Sequence, residues 1–465
     1  MRIEEIRKAG YYPIEGKTVG QPFPTGRGGS VSFRIPGLIR LHNGNLFATS
    51  DARWTRPYDD CGGIDTVFAL SEDRGESWRA GYAAYFPDSL GSPRDLRDAT
   101  ILIDSTPVET PDGVLHIFVN LGPTGVTTAL RRPGRGEGFM TVGGKKRLAL
   151  TDDDGKADGD PAEYPYFVGE LSQGFAPILT RTEEETGFAV DPFFNLYRKD
   201  GGAWRELLGK QIDTGREIVQ NVFYRDSSFH VYHTMYLLHL SSLDWGESWS
   251  WTLVDGIKMP DETAVIASPG NGLVTSDGVM VLPFYRAENG GCHSFLAFSS
   301  DGGKSFRRSP VLPPANGIPE SSEGKPVELP NGDLRLFFRT GVQRICWADY
   351  HRASGAWGEA KALPVRVHSD CNFAALCQDG RILIAYARGI GDDARYRMRG
   401  RLYVFALDEK NDMILTDVLP ITDGAFSYAV LAPVSENEAA CLYDTCGDGL
   451  VIFQKIGLPG RGSAV

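Results

Sequence analysis

Two arginines and two aspartates near the start of the chain have side chains that could bind an anion and move a proton. They are Arg34, Arg53, Asp59 and Asp60. The guanidinium group of arginine is planar and binds a carboxylate through two parallel hydrogen bonds, which the ammonium group of lysine cannot do. The carboxyl group of aspartic acid can act as a general acid or base. These are the residue types that a site for an acidic substrate requires.

A motif that occurs three times indicates which elements position these residues. Its pattern is S-x-D-x-G-x-x-W, with Phe for Trp in the last copy, and the copies occupy residues 71–78, 242–249 and 299–306. In each copy we expect a hairpin turn in which Asp accepts backbone N–H groups, Gly takes a positive φ and the aromatic ring packs beneath. The copies begin 171 and 57 residues apart, and 171 is three times 57. The repeat predicts β-propeller blades, with a structural and not a catalytic role for the motif.

Short apolar runs alternate with turn residues along the rest of the chain. Residues 38–50, 327–340 and 374–388 are each typical of two strands joined by an Asn-Gly or Asp-Gly turn. Long stretches of helical periodicity are few. We therefore expect an all-β protein.

The segment 121–232 contains no copy of the repeated motif. Removing these 112 residues from 465 leaves 353, or about 59 for each of six blades. The sequence thus predicts a six-bladed β-propeller formed by residues 1–120 and 233–465, with 121–232 as an inserted β-rich subdomain. The alternative is that the segment belongs to two oversized blades.

Composition and charge exclude several classes of partner. Lys and Arg number 48 against 60 Asp and Glu, which gives a net charge of -12. This balance argues against nucleic acid or an anionic membrane as the main partner. The chain start lacks the apolar run of a secretory signal, and the seven scattered cysteines without a C-x-x-C pair are typical of free thiols. We expect a cytoplasmic protein, or a secreted one if a signal has been removed.

The acidic run at 152–160 is a candidate metal site. Asp-rich loops can bind calcium, but Lys156 falls where an EF-hand loop needs a ligand. We interpret the run as a solvated loop and expect no bound metal.

Four motifs follow one another within about 45 residues and carry a specific resemblance. They are F-R-I-P at 33–36, D-x-R at 51–53, G-x-I-D at 62–65 and the first copy of the repeat at 71–78. With these motifs in this order, the chain resembles the sialidase (neuraminidase) family of bacterial type, from about residue 30 to about residue 445. The resemblance implies an enzyme that removes sialic acid, a sugar with a carboxylate on its anomeric carbon, from glycans.

The resemblance also implies three arginines that converge on the carboxylate of the substrate. Arg34 in F-R-I-P matches the first, and Arg339 in L-F-F-R-T matches the second. The third lies in a segment with four candidates, and the R-x-x-G spacing of the family favours Arg397 with Gly400. The other candidates are Arg395, Arg399 and Arg401.

The catalytic residues follow from the same resemblance. Tyr428 in A-F-S-Y-A-V-L matches the nucleophile, as sialidases use tyrosine where other glycosidases use a carboxylate. Tyrosine has an ordinary pKa near 10 and needs a base, which Glu323 matches better than its neighbour Glu320. The general acid/base is Asp60 if the chain is aligned on the G-x-I-D motif, and Asp59 if the distance from Arg34 decides. We favour Asp60, because a local motif is the better anchor.

Three further residues are implied to support the site. Asp444 falls where the family has a Glu that holds the first arginine. Arg53 resembles a residue that contacts the O4 side of the sugar, and Asp98 is a candidate for contact with the N-acyl group.

The implied reaction is retaining hydrolysis of terminal α-linked sialic acid without metal or organic cofactor, with a sialylated glycan or small sialoside as partner. One alternative is an enzyme with the same site that acts as a trans-sialidase, forms an anhydro sugar by intramolecular transfer, or hydrolyses deaminated sialic acid. Another is a propeller that binds a glycan or a protein without catalysis. Such binding propellers keep the repeats and lose the Arg, Tyr and Glu set that this chain retains.

Overall fold

The computed structural model describes residues 12–59, 63–86, 99–127, 131–210, 215–288, 291–315, 317–367, 371–389 and 397–460. Regular structure in these ranges is almost entirely β-strand. The helical elements among them are short 3₁₀ turns: Arg27–Gly29, Asp154–Lys156, Pro161–Glu163 and Cys446–Asp448. No helix in these ranges is long and apolar enough to cross a membrane. The prediction of an all-β protein is confirmed.

Two antiparallel meanders begin the fold. Their strands are β1 (Tyr12–Val19), β2 (Ser32–Arg40), β3 (Leu46–Arg53), β4 (Ile64–Ser71), β5 (Ser77–Ala84), β6 (Ile101–Glu109) and β7 (Leu115–Gly122). Strands β2 to β5 pair in sequence order, and β1 adds to the outer edge of β5. Strand β6 pairs with β7, and it meets β4 through a single parallel pair, Ile64 with Ile101.

The next ten strands form sheets of their own. They are β8 (Phe139–Val142), β9 (Lys145–Thr151), β10 (Tyr166–Val168), β11 (Ala176–Thr180), β12 (Glu185–Val190), β13 (Leu196–Asp200), β14 (Ala203–Glu206), β15 (Leu208–Lys210), β16 (Glu217–Val219) and β17 (His230–Val231). Strands β15 and β16 make a separate hairpin, and the others form one sheet. Leu150 and Val190 of this sheet lie in the same buried cluster as Leu238 and Trp249 of the propeller-like part. The inserted sheet therefore shares its core with the rest of the fold.

The remaining strands complete a propeller-like arrangement. They are β18 (Tyr236–Ser242), β19 (Ser250–Val254), β20 (Ala264–Ala267), β21 (Leu273–Val274), β22 (Met280–Glu288), β23 (Gly291–Ser299), β24 (Arg307–Arg308), β25 (Ser322–Glu328), β26 (Leu334–Arg339), β27 (Arg344–His351), β28 (Ala356–Trp357), β29 (Lys361–Arg366), β30 (Ala374–Gln378), β31 (Arg381–Ala387), β32 (Gly400–Leu407), β33 (Met413–Pro420), β34 (Ala429–Ser435), β35 (Glu438–Asp444) and β36 (Val451–Gly457). Strand β18 pairs with β7, so the sheet of β6, β7, β18 and β19 continues across the inserted strands. Four separate sheets follow, formed by β20–β24, β25–β29, β30–β33 and β34–β36.

The first and last sheets meet. Leu38 and Ala48 of the first meander lie in one buried cluster with Val430 and Leu442 of the last sheet. Burial of apolar side chains between neighbouring sheets is the main force that holds such an arrangement together.

The repeated motif forms the turns that the sequence predicts. In the first copy, Asp73 accepts hydrogen bonds of 2.8 Å from the Ser71 hydroxyl and the Ser77 backbone N–H. Gly75 has a φ of 92°, and a Cβ there would lie 2.3 Å from the ring of Phe453, so glycine is required. The other two copies repeat these bonds at Asp244 and Asp301, and their glycines lie against other rings: Gly246 against Phe68, and Gly303 against His239 and Phe118.

Strand register places each motif turn at one end of the sheet that carries it. On β3 and β4, Arg53 pairs with Ile64 at one end and Leu46 pairs with Ser71 at the other. A strand of eight residues spans about 25 Å. Arg53 and the first motif turn therefore lie at opposite ends of the same sheet.

Candidate active site

The predicted site residues lie where strands begin or end at the face opposite the motif turns. Arg34 is near the start of β2 and Arg53 is at the end of β3, which in an antiparallel pair is the same edge. Glu323 and Arg339 occupy the corresponding places on β25 and β26, where Ser322, the neighbour of Glu323, pairs with Arg339. Residues that are hundreds of positions apart thus converge on one face.

A hydrogen-bonded triad stands at the centre of this face. The Tyr428 hydroxyl donates to Glu323 Oε1 at 2.6 Å, and Arg339 Nη1 donates to Glu323 Oε2 at 3.0 Å and to the Tyr428 oxygen at 3.2 Å. Glu323 has a φ of 47°, an uncommon conformation for a residue with a side chain, and it lies in a register shift between β25 and β26. Such backbone strain is often found at functional sites. The rival Glu320 makes no hydrogen bond to Tyr428.

The phenol of Tyr428 is held in its protonated form. Burial, and next the negative charge of Glu323, raise the pKa of Tyr428 well above its usual value, although Arg339 opposes the shift. The phenolate is therefore unfavourable at rest, and the carboxylate that accepts the hydrogen bond is placed to accept the proton.

Arg34 is fixed by a buried carboxylate. Its Nε lies 3.2 Å from Asp444 Oδ2, and the side chains of both residues are less than 5% exposed. The backbone N–H groups of Ile35 and Cys446 also donate to Asp444, at 3.1 and 2.9 Å. Burial opposes the charge of Arg34, but Asp444 and other anionic groups outweigh it and raise the pKa of the guanidinium. The shorter Asp side chain therefore reaches Arg34.

Among the described candidates for the third arginine, Arg397 is the one that lies beside the triad. Its Nη1 donates to the Ser427 hydroxyl at 3.3 Å, and its guanidinium lies 5.8 Å from the centre of the Tyr428 ring. Arg399 points to solvent, and Arg401 pairs with Asp423 at 2.5 Å away from the triad. Arg395 lies outside the described residues.

Three guanidinium groups consequently surround one tyrosine. The Arg34 guanidinium lies 5.5 Å from the centre of the Tyr428 ring, and the Arg397 guanidinium lies at a similar distance. Arg339 donates a hydrogen bond to the Tyr428 oxygen. Fixed guanidinium groups that converge in this way form a binding site for an anionic group such as a carboxylate.

Asp59 is the described member of the pair of candidate acids. Its Oδ1 lies 2.5 Å from Arg53 Nη1 and 3.9 Å from Arg34 Nη1, while its side chain is 63% exposed. Burial acts to raise the pKa of Asp59, but Arg53 and Arg34 outweigh it and lower the pKa. The other candidate, Asp60, lies outside the described residues, as does Asp98.

Sequence reasoning missed one carboxyl group of this face. Asp104 has a φ of 62°, and its backbone N–H donates to Asp51 Oδ1 at 3.2 Å. Burial, and next the charges of Asp51 and Glu323, raise the pKa of Asp104 well above its usual value, which favours its neutral form. Asp51 itself is buried beside Arg53, at 2.9 Å from Nη2, and burial raises its pKa to about 7. A signal existed in the sequence, since Asp104 interrupts the apolar run 101–103.

Comparison with known proteins adds to this geometry. The family described as a BNR repeat-like domain matches residues 217–437. The chain is 28% identical over 345 residues to the anhydrosialidase of Macrobdella decora, an alignment that covers 67% of this chain and 43% of that protein. It is 26% identical over 331 residues to sialidase B of Streptococcus pneumoniae, covering 66% of this chain and 45% of that protein. The chain thus spans less than half the length of either relative.

Solved structures share the fold. The intramolecular trans-sialidase from Ruminococcus gnavus, in complex with oseltamivir carboxylate, superimposes with a TM-score of 0.76 at 22% identity and covers 92% of this chain and 95% of that one. A NanB structure in complex with Optactamide gives a TM-score of 0.79 at 20% identity, covering 98% of this chain and 72% of that one.

These comparisons support a relationship of the chain to sialidases of bacterial type. In this chain, the triad of Tyr428, Glu323 and Arg339 and the pair of Arg34 and Asp444 are built from side chains alone. Among the residues that the structure describes, no group of three or more His, Cys, Asp or Glu side chains is arranged to hold a metal ion.

Proposed function

We propose that the protein is an exo-sialidase that hydrolyses terminal α-linked sialic acids from glycans with retention of configuration. The observation that carries the proposal is the Tyr428 hydroxyl, which lies between Glu323 and Arg339 with the guanidinium groups of Arg34 and Arg397 on its ring. This arrangement supports Tyr428 as a nucleophile with Glu323 as its base, in a pocket whose guanidinium groups would bind an anion.

In the first step, the substrate carboxylate binds to Arg34, Arg339 and Arg397. A carboxylate nucleophile would be repelled by the carboxylate of the substrate, whereas tyrosine is neutral until it reacts. The Tyr428 oxygen attacks the anomeric carbon as its proton passes to Glu323. An aspartic acid protonates the leaving oxygen, and the glycosidic bond breaks.

In the second step, the same aspartate removes a proton from water, which attacks the anomeric carbon. The bond to the Tyr428 oxygen breaks, and the tyrosine recovers its proton from Glu323. Sialic acid is released with the configuration of the substrate, because two inversions have occurred.

Asp59 is our proposal for the acid, because its carboxyl reaches both Arg34 and Arg53. These guanidinium groups lower its pKa, which disfavours the acid form. A bound substrate carboxylate offsets the charge of Arg34 and so raises the pKa of Asp59 towards the value that an acid requires. Asp60, which the G-x-I-D motif favours, is the competing assignment.

A second candidate activity is intramolecular transfer, in which a hydroxyl of the sialic acid replaces water and yields an anhydro sugar. It is favoured by the names of two similar proteins, the anhydrosialidase and the intramolecular trans-sialidase. The triad and the arginines would serve either outcome. A trans-sialidase with an external acceptor, or a hydrolase for deaminated sialic acid, would also use them.

We further propose that the fold is a six-bladed β-propeller. The four separate sheets are four of them, and the two meanders joined through Ile64 and Ile101 are the other two. In this division residues 1–120 and 233–465 form the propeller, and 121–232 are an insertion between neighbouring strands of the second blade.

Product analysis after incubation with a sialylated oligosaccharide tests the proposal. Free sialic acid with retained configuration is expected. A product lighter by one water identifies intramolecular transfer, and a sialylated acceptor identifies transfer. Absence of any product from sialosides of several linkages would overturn the enzymatic assignment and favour a binding protein.

A further inference from the structure

A cleft with two buried histidines lies at the motif end of the fold. Its volume is about 830 Å³, within the range of roughly 300–1,000 Å³ that small-molecule sites occupy. Its walls come from residues 110–114, the ends of β18 and β19, and the third motif turn. Strand β7 pairs Leu115 with Ser242 at this end and Leu121 with Tyr236 at the other, so the cleft is remote from Tyr428.

A chain of hydrogen bonds at the cleft has a fixed direction. The Thr110 hydroxyl lies 2.6 Å from Asp112 Oδ1, and this bond lowers the pKa of Asp112, so the carboxylate accepts and the hydroxyl donates. His116 Nε2 lies 3.0 Å from the same hydroxyl oxygen and must therefore donate to it. His116 Nδ1 is then an acceptor, and it accepts from His239 Nε2 at 2.8 Å.

This series of hydrogen bonds ends at Nδ1 of His239, which is free to accept another bond. Burial lowers the pKa of His116 to about 4, and burial with the neighbouring imidazole lowers that of His239 to about 3, so both rings are neutral at neutral pH. Because Nε2 of His239 carries the proton, Nδ1 presents a lone pair. The His239 side chain is 7% exposed and lines the cleft, and Nδ1 has no hydrogen-bond partner among the described residues. A neutral imidazole nitrogen of this kind can accept a hydrogen bond from a donor group of a bound molecule.

The other lining groups define the chemistry of that donor. Ser241 and Thr252 add hydroxyl groups, and Leu243 adds apolar surface. The charged lining residues are three carboxylates and one ammonium group: Asp112, Asp255, Asp301 and Lys304. Excess negative charge disfavours an anion such as sialic acid. Hydroxyl donors on an apolar C–H face are the features of a neutral sugar ring.

We propose that this cleft binds a neutral hexopyranoside, the chemistry of the uncharged part of a glycan, with one sugar hydroxyl donating to Nδ1 of His239. The cleft and the face that carries Tyr428 lie at opposite ends of the strands. One protein could therefore hold a glycan at two points, which would increase its residence on multivalent substrates.

The experiment uses His239→Phe as the main variant, because the chain itself shows that phenylalanine fits. Phe68 and Phe453 occupy the equivalent place beneath the other two motif glycines. Thr252→Trp is a second variant that fills the cleft from an exposed position and leaves the histidines intact. His351→Phe is the matched control, since His351 is half exposed on β27 and pairs with Asp333 outside the cleft.

Binding of lactose and of methyl hexopyranosides would be measured on the full chain by saturation-transfer NMR, with a cyclic unsaturated sialic acid analogue present. We expect saturable binding of at least one sugar that is weakened about tenfold by His239→Phe, abolished by Thr252→Trp and unchanged by His351→Phe. The analogue is added to occupy the face that carries Tyr428. Because Thr252 lies at the motif end, loss of sugar binding in Thr252→Trp locates the sugar in the cleft even if the analogue does not bind at that face. No saturable binding, or equal binding in wild type and both cleft variants, would overturn the proposal. Perturbation of the histidine signals by Zn²⁺ but by no sugar would overturn it in favour of a metal site.

Discussion

The Tyr428 hydroxyl and the Glu323 carboxylate lie 2.6 Å apart, although 105 residues separate them in the chain. The contact joins a phenol whose pKa is raised well above its usual value to the group that can accept its proton. Removing the hydroxyl should therefore remove the nucleophile while the ring stays beside Arg34 and Arg397.

Tyr428→Phe should lower kcat by at least about 100-fold, since proton transfer alone typically contributes that much. The affinity for a cyclic unsaturated sialic acid analogue should change little, because the arginines remain. Steady-state kinetics and calorimetric titration would check the two expectations. Activity within a few-fold of wild type would show that another group is the nucleophile.

Arg34→Lys should weaken the same analogue far more than a conservative exchange suggests. An ammonium group cannot replace the planar fork, and the loss of a charged hydrogen bond costs about 1.5–3 kcal/mol. Arg399→Lys is the matched control, because Arg399 is exposed and lies outside the triad. If the two exchanges had the same effect on affinity, Arg34 would not contact the carboxylate.

The two candidate acids can be distinguished by comparing the activity of their variants on substrates with good and with poor leaving groups. Loss of a general acid slows poor leaving groups most, because protonation then carries bond cleavage. We expect Asp59→Asn to slow a natural sialyl oligosaccharide strongly and an activated aryl sialoside much less. Asp60→Asn should slow both by a similar small factor. The contrast appearing at Asp60 would restore the assignment that the G-x-I-D motif favours.

Asp104 should act as a neutral carboxylic acid. Its raised pKa means that Asp104→Asn preserves the charge and much of the hydrogen-bonding capacity at neutral pH. We expect kcat/KM at pH 7 to fall only a few-fold in Asp104→Asn and much further in Asp104→Leu, which has no polar group. Equal losses in the two variants would indicate that Asp104 functions as a carboxylate.

The buried histidine pair should make the protein sensitive to acid. In the unfolded chain these imidazoles have a pKa of about 6.5. In the folded chain the pKa is about 4 for His116 and about 3 for His239, so they become protonated only at lower pH. Protons then favour unfolding, so the free energy of unfolding should fall as pH decreases from 6.5. Thermal melts of wild type and His239→Phe across this window should show a smaller fall in the variant. Parallel curves would contradict the lowered pKa of His239.

The sequence predicts most of this site because its strongest signals are local. The motif turns depend on contacts within eight residues, and Arg34, Glu323 and Tyr428 each stand in a short recognisable segment. Asp104 was missed because its place depends on a hydrogen bond to Asp51, 53 residues away.

Two other features also depend on packing that no local pattern reports. Arg397 precedes β32, so the alternation of strand side chains could not distinguish it from its neighbours. The inserted sheet gives no clear boundary in the sequence, because its apolar residues contribute to the same buried cluster as those of the propeller-like part.

Covalent trapping tests the central claim most directly. A fluorinated sialosyl fluoride forms the glycosyl-enzyme because its anomeric fluoride is a good leaving group. The glycosyl-enzyme is then hydrolysed slowly, because the second fluorine, next to the anomeric carbon, destabilises the cationic transition state. Mass spectrometry of the treated protein should show one added sialyl group, located on the peptide that contains Tyr428 and missing in Tyr428→Phe. An adduct on any other residue, or turnover of the reagent without an adduct, would contradict the tyrosine mechanism.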